Sequence, residues 1–179
     1  MVCFLVHVAS LWYGTWPGRF FRKAVGPVLE LKALRILSVL LWYVVGACLL
    51  LRPALAPWRW TLSCLLYALS TGLFWWAIRT NLRQPLALAF SDEQPGPLVT
   101  AGPYRLVRHP LYTAYMLGWL AAIAGTRTPW ILAVLATFPF FWLAARREEQ
   151  SLAQGPMAAE YAAYRRRVGG FLPRLWEAR

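Results

Sequence analysis

Apolar residues in this chain gather into five runs, near residues 1–17, 34–51, 58–78, 111–125 and 128–145, and polar residues concentrate between them. Runs of this length suit helices crossing a hydrocarbon core of about 30 Å at about 1.5 Å per residue. No strand-rich segment interrupts them. The pattern predicts an all-α integral membrane protein with about five transmembrane helices, forming a single multispanning domain over residues 1–179. Pro53 and Pro57 between the second and third runs, and the stretch from Gly125 to Pro129 between the last two, predict tight turns and antiparallel neighbours. The first run is short and is followed by Pro17 and Gly18, which leaves a cleaved signal peptide open. It lacks a preceding basic segment and a clear small-x-small cleavage site, so retention is the expectation.

Composition strengthens the membrane assignment: 59% of residues are hydrophobic and eleven of 179 are tryptophan. Charge adds an orientation. The net charge is +12, and with the N-terminus outside, every Lys and Arg except Arg52, Arg59 and Arg127 falls on one side of the runs. The positive-inside rule makes that side the cytoplasm, so the C-terminus is cytoplasmic. The expected setting is a bacterial or archaeal inner membrane, with anionic lipid headgroups as surface partners. The bases flank apolar runs rather than covering a soluble face, so no nucleic-acid partner is expected.

Several kinds of chemistry drop out. Cys3, Cys48 and Cys64 lie in apolar segments without C-x-x-C spacing and read as buried thiols. His7 reads as a packed or interfacial histidine. With two histidines in all and no H-E-x-x-H or Cys/His cluster, no metal site is expected. There is no Gly-rich phosphate loop, and no internal repeat suggests a transporter built from inverted halves.

Polar chemistry is left to two cytoplasmic segments. The first is the loop from Asn81 to Pro110, made irregular by its prolines and glycines and ending in Gly102-Pro103-Tyr104-Arg105-Leu106-Val107-Arg108-His109-Pro110-Leu111-Tyr112. Pro110 suits the first turn of the fourth helix, which places Arg108 and His109 at a helix N-terminus, a geometry fit for a carboxylate. The second is the tail from Arg146. A helix continuing past the membrane would hold Glu148 and Glu149 about one turn above the interface, level with His109. The two charge groups could then bracket a zwitterion, with Arg108 and His109 on its carboxylate and the glutamates on its ammonium or ribose hydroxyls. After Pro156, Tyr161, Tyr164 and Val168 form an apolar stripe on a short helix that would lie on the site or the membrane surface. Separately, these residues also read as interfacial anchors and solvated helix charges; the combination favours a site.

The segment from Thr100 to Tyr112, followed by Glu148-Glu149-x-x-Leu152, Gly155, Tyr161-x-x-Tyr164 and Phe171-Leu172-Pro173, resembles the isoprenylcysteine carboxyl methyltransferase family and the related phospholipid N-methyltransferases. The resemblance covers residues 98–174, which it marks as the cofactor-binding half. It departs at Ala114, at Gln154, and at Gly169-Gly170, where an arginine is usual. It implies a membrane enzyme using S-adenosyl-L-methionine at the cytoplasmic face, with Tyr104, Val107, His109, Leu111, Tyr112, Glu148 and Glu149 as matching cofactor-site positions and Arg108 beside them. The reaction expected is methyl transfer to a lipophilic or prenylated acceptor, through a carboxylate or a phenolic or prenyl lipid. Transfer to phosphatidylethanolamine nitrogen and a non-catalytic membrane partner are the alternatives. An ionised carboxylate needs no base; an amine or phenol does, and His109 and Glu148 are the candidates.

Overall fold

A computed structural model describes residues 1–15, 29–51, 56–82, 98–126, 135 and 137–174, without the side chains of 29–32, 34 and 35. The described residues form six α-helices and no strand: α1 (Val2–Gly14), α2 (Leu29–Leu51), α3 (Pro57–Thr80), α4 (Pro110–Gly125), α5 (Phe138–Gln154) and α6 (Ala158–Arg167). One 3-10 turn, Gly102–Arg105, precedes α4. The all-α expectation agrees. The number of spans is a different matter: among the described residues only α3 is both long and apolar enough to cross a membrane. Helix α1 and the Ile36–Leu51 part of α2 are apolar but shorter. The start of the fifth predicted run, the turn after Gly125, Lys23 and the whole of residues 83–97 lie outside the described residues.

Contacts between helices fix their directions. Ser63 and Ser70 of α3 donate to the carbonyls of Ala121 and Ala114 on α4, at 2.8 and 2.6 Å, so these two helices run antiparallel. Small residues make the approach possible: a Cβ at Gly125 would come 2.7 Å from Ser63 Oγ, and one at Gly118 would come 2.6 Å from His7 Nε2. Helix α1 runs parallel to α3, with His7 Nδ1 2.8 Å from Thr71 Oγ1 and the Trp75 indole donating to Ser10. His7 is therefore packed, between the rings of Trp42 and Tyr67 at 5.5 and 5.0 Å. Trp42 of α2 stacks on Trp119 of α4 at 4.2 Å, which carries α2 into the core. On α5, Phe141 stacks on Tyr112 and Tyr115, placing the charged half of that helix beside the start of α4.

At the opposite end, Arg59 closes the α3–α4 pair. Its guanidinium donates to the carbonyls of Ala124, Ile123 and Thr126, which the α4 helix itself leaves unsatisfied.

Candidate functional site

Pro110 occupies the first turn of α4 with His109 at its N-cap, and no side chain caps this terminus. Ahead of it, Gly102 takes φ +57 in a position where a Cβ would meet Thr80 Oγ1 at 2.3 Å, so only glycine brings the 3-10 turn down onto the end of α3. That turn delivers Tyr104 to Asn81, whose Nδ2 donates to the Tyr104 hydroxyl at 2.9 Å. Asn81 opened the loop in the sequence without a role; here it ties the loop to α3.

Arg108, His109, Glu148 and Glu149 meet directly. Arg108 donates through Nε and Nη2 to Glu149 Oε1 at 3.0 and 2.8 Å. His109 Nε2 lies 3.0 Å from the same oxygen, and its Nδ1 lies 3.4 Å from Glu148 Oε2. Both ring nitrogens thus face carboxylate oxygens, an arrangement in which only the imidazolium can donate on both sides. Burial works against that charge, but the hydrogen bonds and charges of Glu148 and Glu149 outweigh it and raise the His109 pKa above its ordinary value. For Glu149, burial pushes the carboxyl up, yet the His109 and Arg108 contacts prevail and hold it at about 2. The four charges sum to neutrality.

The C-terminal segment lies across this group. The Arg108 and His109 amides donate to the carbonyls of Gly169 and Gly170, at 2.8 and 3.1 Å, and Val107 pairs with Gly169 as a parallel bridge. Arg108 Nη1 reaches the Val168 carbonyl at 2.5 Å. Tyr164 donates to the Tyr104 carbonyl at 2.7 Å, and Thr113 to that of Phe171 at 3.0 Å. Tyr161, Tyr164 and Val168 form the buried stripe expected of α6, packed with Leu98 and Leu152. The first of the two glycines that depart from the family pattern has a steric reason: a Cβ at Gly169 would sit 2.0 Å from the Leu172 carbonyl oxygen.

These contacts revise the bracketed-ligand picture. The two charge groups touch, so nothing fits between them, and Arg108 and His109 are occupied by glutamates. Glu148 keeps the most open carboxylate of the group, with 42% of its side chain exposed, and it accepts the Tyr112 hydroxyl. Tyr104, Val107, Arg108, His109, Tyr112, Glu148 and Glu149 share one end of the bundle. Leu111 does not join them. It turns to the other side of α4 and packs against the cluster of Leu11, Phe74, Ile78 and Ala114. Among the described residues, no group of three or more His, Cys, Asp or Glu is placed to hold a metal ion.

A half-exposed carboxylate beside an uncapped helix N-terminus offers one acceptor for a cation and backbone donors for a carboxylate. The donor set fits an amino-acid end of the kind S-adenosylmethionine carries. Residues 58–155 match the phospholipid methyltransferase family, and the chain belongs to that family, within the isoprenylcysteine carboxyl methyltransferase group. The family is described as one of phospholipid methyltransferases. The match begins earlier than the sequence resemblance, taking in α3, and stops before α6. Helix α3 packs along α4 and ends at its C-cap Asn81, so it is part of the site's frame.

Two relatives are similar across much of the chain. The cobalt-zinc-cadmium resistance protein CzcN of Cupriavidus metallidurans is 39% identical over 60% of this chain and 50% of its own length. The nickel-cobalt-cadmium resistance protein NccN of Alcaligenes xylosoxydans xylosoxydans is 32% identical over 70% of this chain and 67% of its own. The chain thus spans half of the first relative and two thirds of the second. No solved structure matches it.

Proposed function

We propose that the protein is a multi-pass membrane enzyme that binds S-adenosylmethionine at the Arg108–Glu149 end of the bundle and methylates a lipophilic acceptor. In this reading that end is cytoplasmic and the N-terminus is outside. The carrying observation is the neutral group of Arg108, His109, Glu148 and Glu149 beside the uncapped N-terminus of α4, all of it within the family match. Glu148 takes the ammonium, the first-turn amides of α4 take the carboxylate, and Tyr104, Val107 and Tyr112 wall the site. Arg108 and His109 act one step back: they fix Glu149 and hold the C-terminal segment closed over the site. When bound, the cofactor supplies an electrophilic methyl on a sulfonium. The chain's contribution is to orient the two reactants and exclude water, which can be worth about 7–11 kcal/mol of barrier.

Proton bookkeeping favours one acceptor class. His109, held as an imidazolium, has no lone pair to accept a proton. Glu148 already accepts the Tyr112 hydroxyl and faces His109, so protonating it weakens both contacts. Neither candidate base is poised, and that favours an acceptor that arrives ionised, such as the carboxylate of a prenylated thioether. Methylation of a phospholipid amine is the second reading, favoured by the description of the matched family. The names of the two relatives suggest a setting, resistance to divalent metals, in which the methylated product would act.

The test is incubation of membranes containing the protein with methyl-labelled cofactor and a fractionated lipid extract. Label in a lipid product that mild base releases as methanol is the expected result. Label retained in a base-stable headgroup assigns phospholipid N-methylation. Absence of transfer together with absence of cofactor binding by calorimetry overturns the enzyme reading.

A further inference from the structure

Contacts between α1 and α3 keep one register along their length. His7 meets Thr71, Ser10 meets the Trp75 indole, and Gly14 faces the Phe74 ring. Closer to the start of both helices, Phe4 packs edge-on against Tyr67 at 6.0 Å. Residue numbers rise together on the two helices, so one turn before His7 and Tyr67 the same register brings Cys3 opposite Cys64. Cys3 shares a face with His7 by four-residue spacing, and Cys64 shares one with Tyr67 by three. The Cys3 and Cys64 side chains lie near enough to influence one another, as that register requires. Both are reduced and neither is fully buried, so a small reagent can reach them. They stand at the end of the bundle remote from Glu149, the same end as Arg59.

We propose that Cys3 and Cys64 form a redox-active thiol pair that closes into a disulfide stapling α1 to α3. The oxidant is a low-molecular-weight or protein disulfide. One thiolate attacks a sulfur of that disulfide and expels its partner as a thiolate. The second cysteine, after losing its proton, then attacks the mixed disulfide and expels the other half. One S–S bond breaks in the oxidant and one forms in the chain; the chain loses two electrons and two protons, and the oxidant becomes two thiols. The bond closes a loop over residues 4–63, and by fixing α1 on α3 it stiffens the helix that presents Asn81 to the site. With the orientation proposed above, the pair faces the outer compartment, where disulfides persist. That placement rests on the orientation; the reactivity of the pair does not.

The full chain in detergent, treated with oxidised glutathione, alkylated and digested without reductant, gives the answer by mass spectrometry. A peptide pair joined through Cys3 and Cys64, reopened by dithiothreitol, is expected, with the melting temperature of the oxidised protein raised by several degrees and no rise in Cys64→Ser. Alkylation of both residues after oxidation, stable glutathione adducts on each, or a link through Cys48 overturns the proposal. So does loss of thiol reactivity that a chelator reverses and a reductant does not, which assigns a bound thiophilic cation instead. Acid-quenched cells separate the two readings. If the purified protein forms the link and the cellular protein stays reduced, the thiol pair stands and the outward orientation falls.

Discussion

The seam between α3 and α4 and the clasp of the C-terminal segment over α4 hold the same helix by different physics. Along the seam, Ser63 and Ser70 donate to backbone carbonyls, and Gly118 and Gly125 let the neighbours come close. Apart from Arg59 at its far end, no charge takes part, so the seam depends mainly on shape. The clasp is built from two bases, two acids and a short stretch of main-chain pairing at Gly169 and Gly170. Its closure depends on protonation and on what competes for the charges. The first can serve as a rigid frame, and the second can open when a ligand or a proton changes the balance.

Breaking the clasp should cost most. Glu149→Ala leaves Arg108 and His109 side by side without the carboxylate they share. Removing one partner of such a pair costs about 3 kcal/mol, at the low end of the usual range because both side chains keep slight exposure. If all of it is expressed in turnover, activity falls roughly a hundredfold. Methyl-transfer rate and melting temperature measure both, and wild-type values for each would mean the charges do not hold the segment. Gly118→Leu attacks the seam instead. Its Cβ would lie 2.6 Å from His7 Nε2, and overpacking of this kind costs about 1–3 kcal/mol. Thermal melts should show part of that loss recovered in the His7→Ala background; no recovery would place the clash elsewhere. Ser70→Ala should be milder still. It removes one inter-helix hydrogen bond worth about 0.5–1 kcal/mol, visible as a small drop in melting temperature at unchanged activity per folded molecule.

The seam and the clasp were unequally legible in the sequence. Helix existence followed from the apolar runs, and Pro110 marked the start of α4 because proline is well suited to a first helical turn. The pairing of Arg108 and His109 with Glu148 and Glu149 was visible as charge complementarity between two segments expected in one layer. Its closeness was not: a sequence cannot say whether opposite charges bind each other or a ligand between them. Leu111 was grouped with its neighbours in the sequence, but a single step along a helix rotates a side chain about 100°, and here it packs towards Leu11, Phe74, Ile78 and Ala114. Gly169 and Gly170 registered only as departures from a family pattern, since the backbone pairing they allow has no side-chain signature. The parallel register of α1 on α3 was equally hidden, being a long-range fact carried by His7, Ser10 and two serially unrelated partners.

The smallest effect expected is also the one that separates clasp from seam most directly. Glu149 has its pKa depressed from 4.5 to about 2, so its contribution is complete above its unfolded value and fades as pH falls towards 2. His109 is shifted upward from 6.5, so its contribution is complete below that value and fades as pH rises through the raised one. The clasp should therefore be tightest between about pH 4.5 and 6.5 and loosen first on the alkaline side. The serine and glycine contacts of the seam carry no group that titrates on the alkaline side and should not respond. Arg165, Arg166 and Arg167 are exposed on α6 and report the loosening as tryptic cleavage sites. Cleavage, corrected for the protease's own pH profile, should rise several-fold once the pH passes the raised His109 value in the wild-type protein and stay level in His109→Gln, which cannot titrate. Parallel profiles in the two proteins would remove His109 as the group that keeps the segment closed.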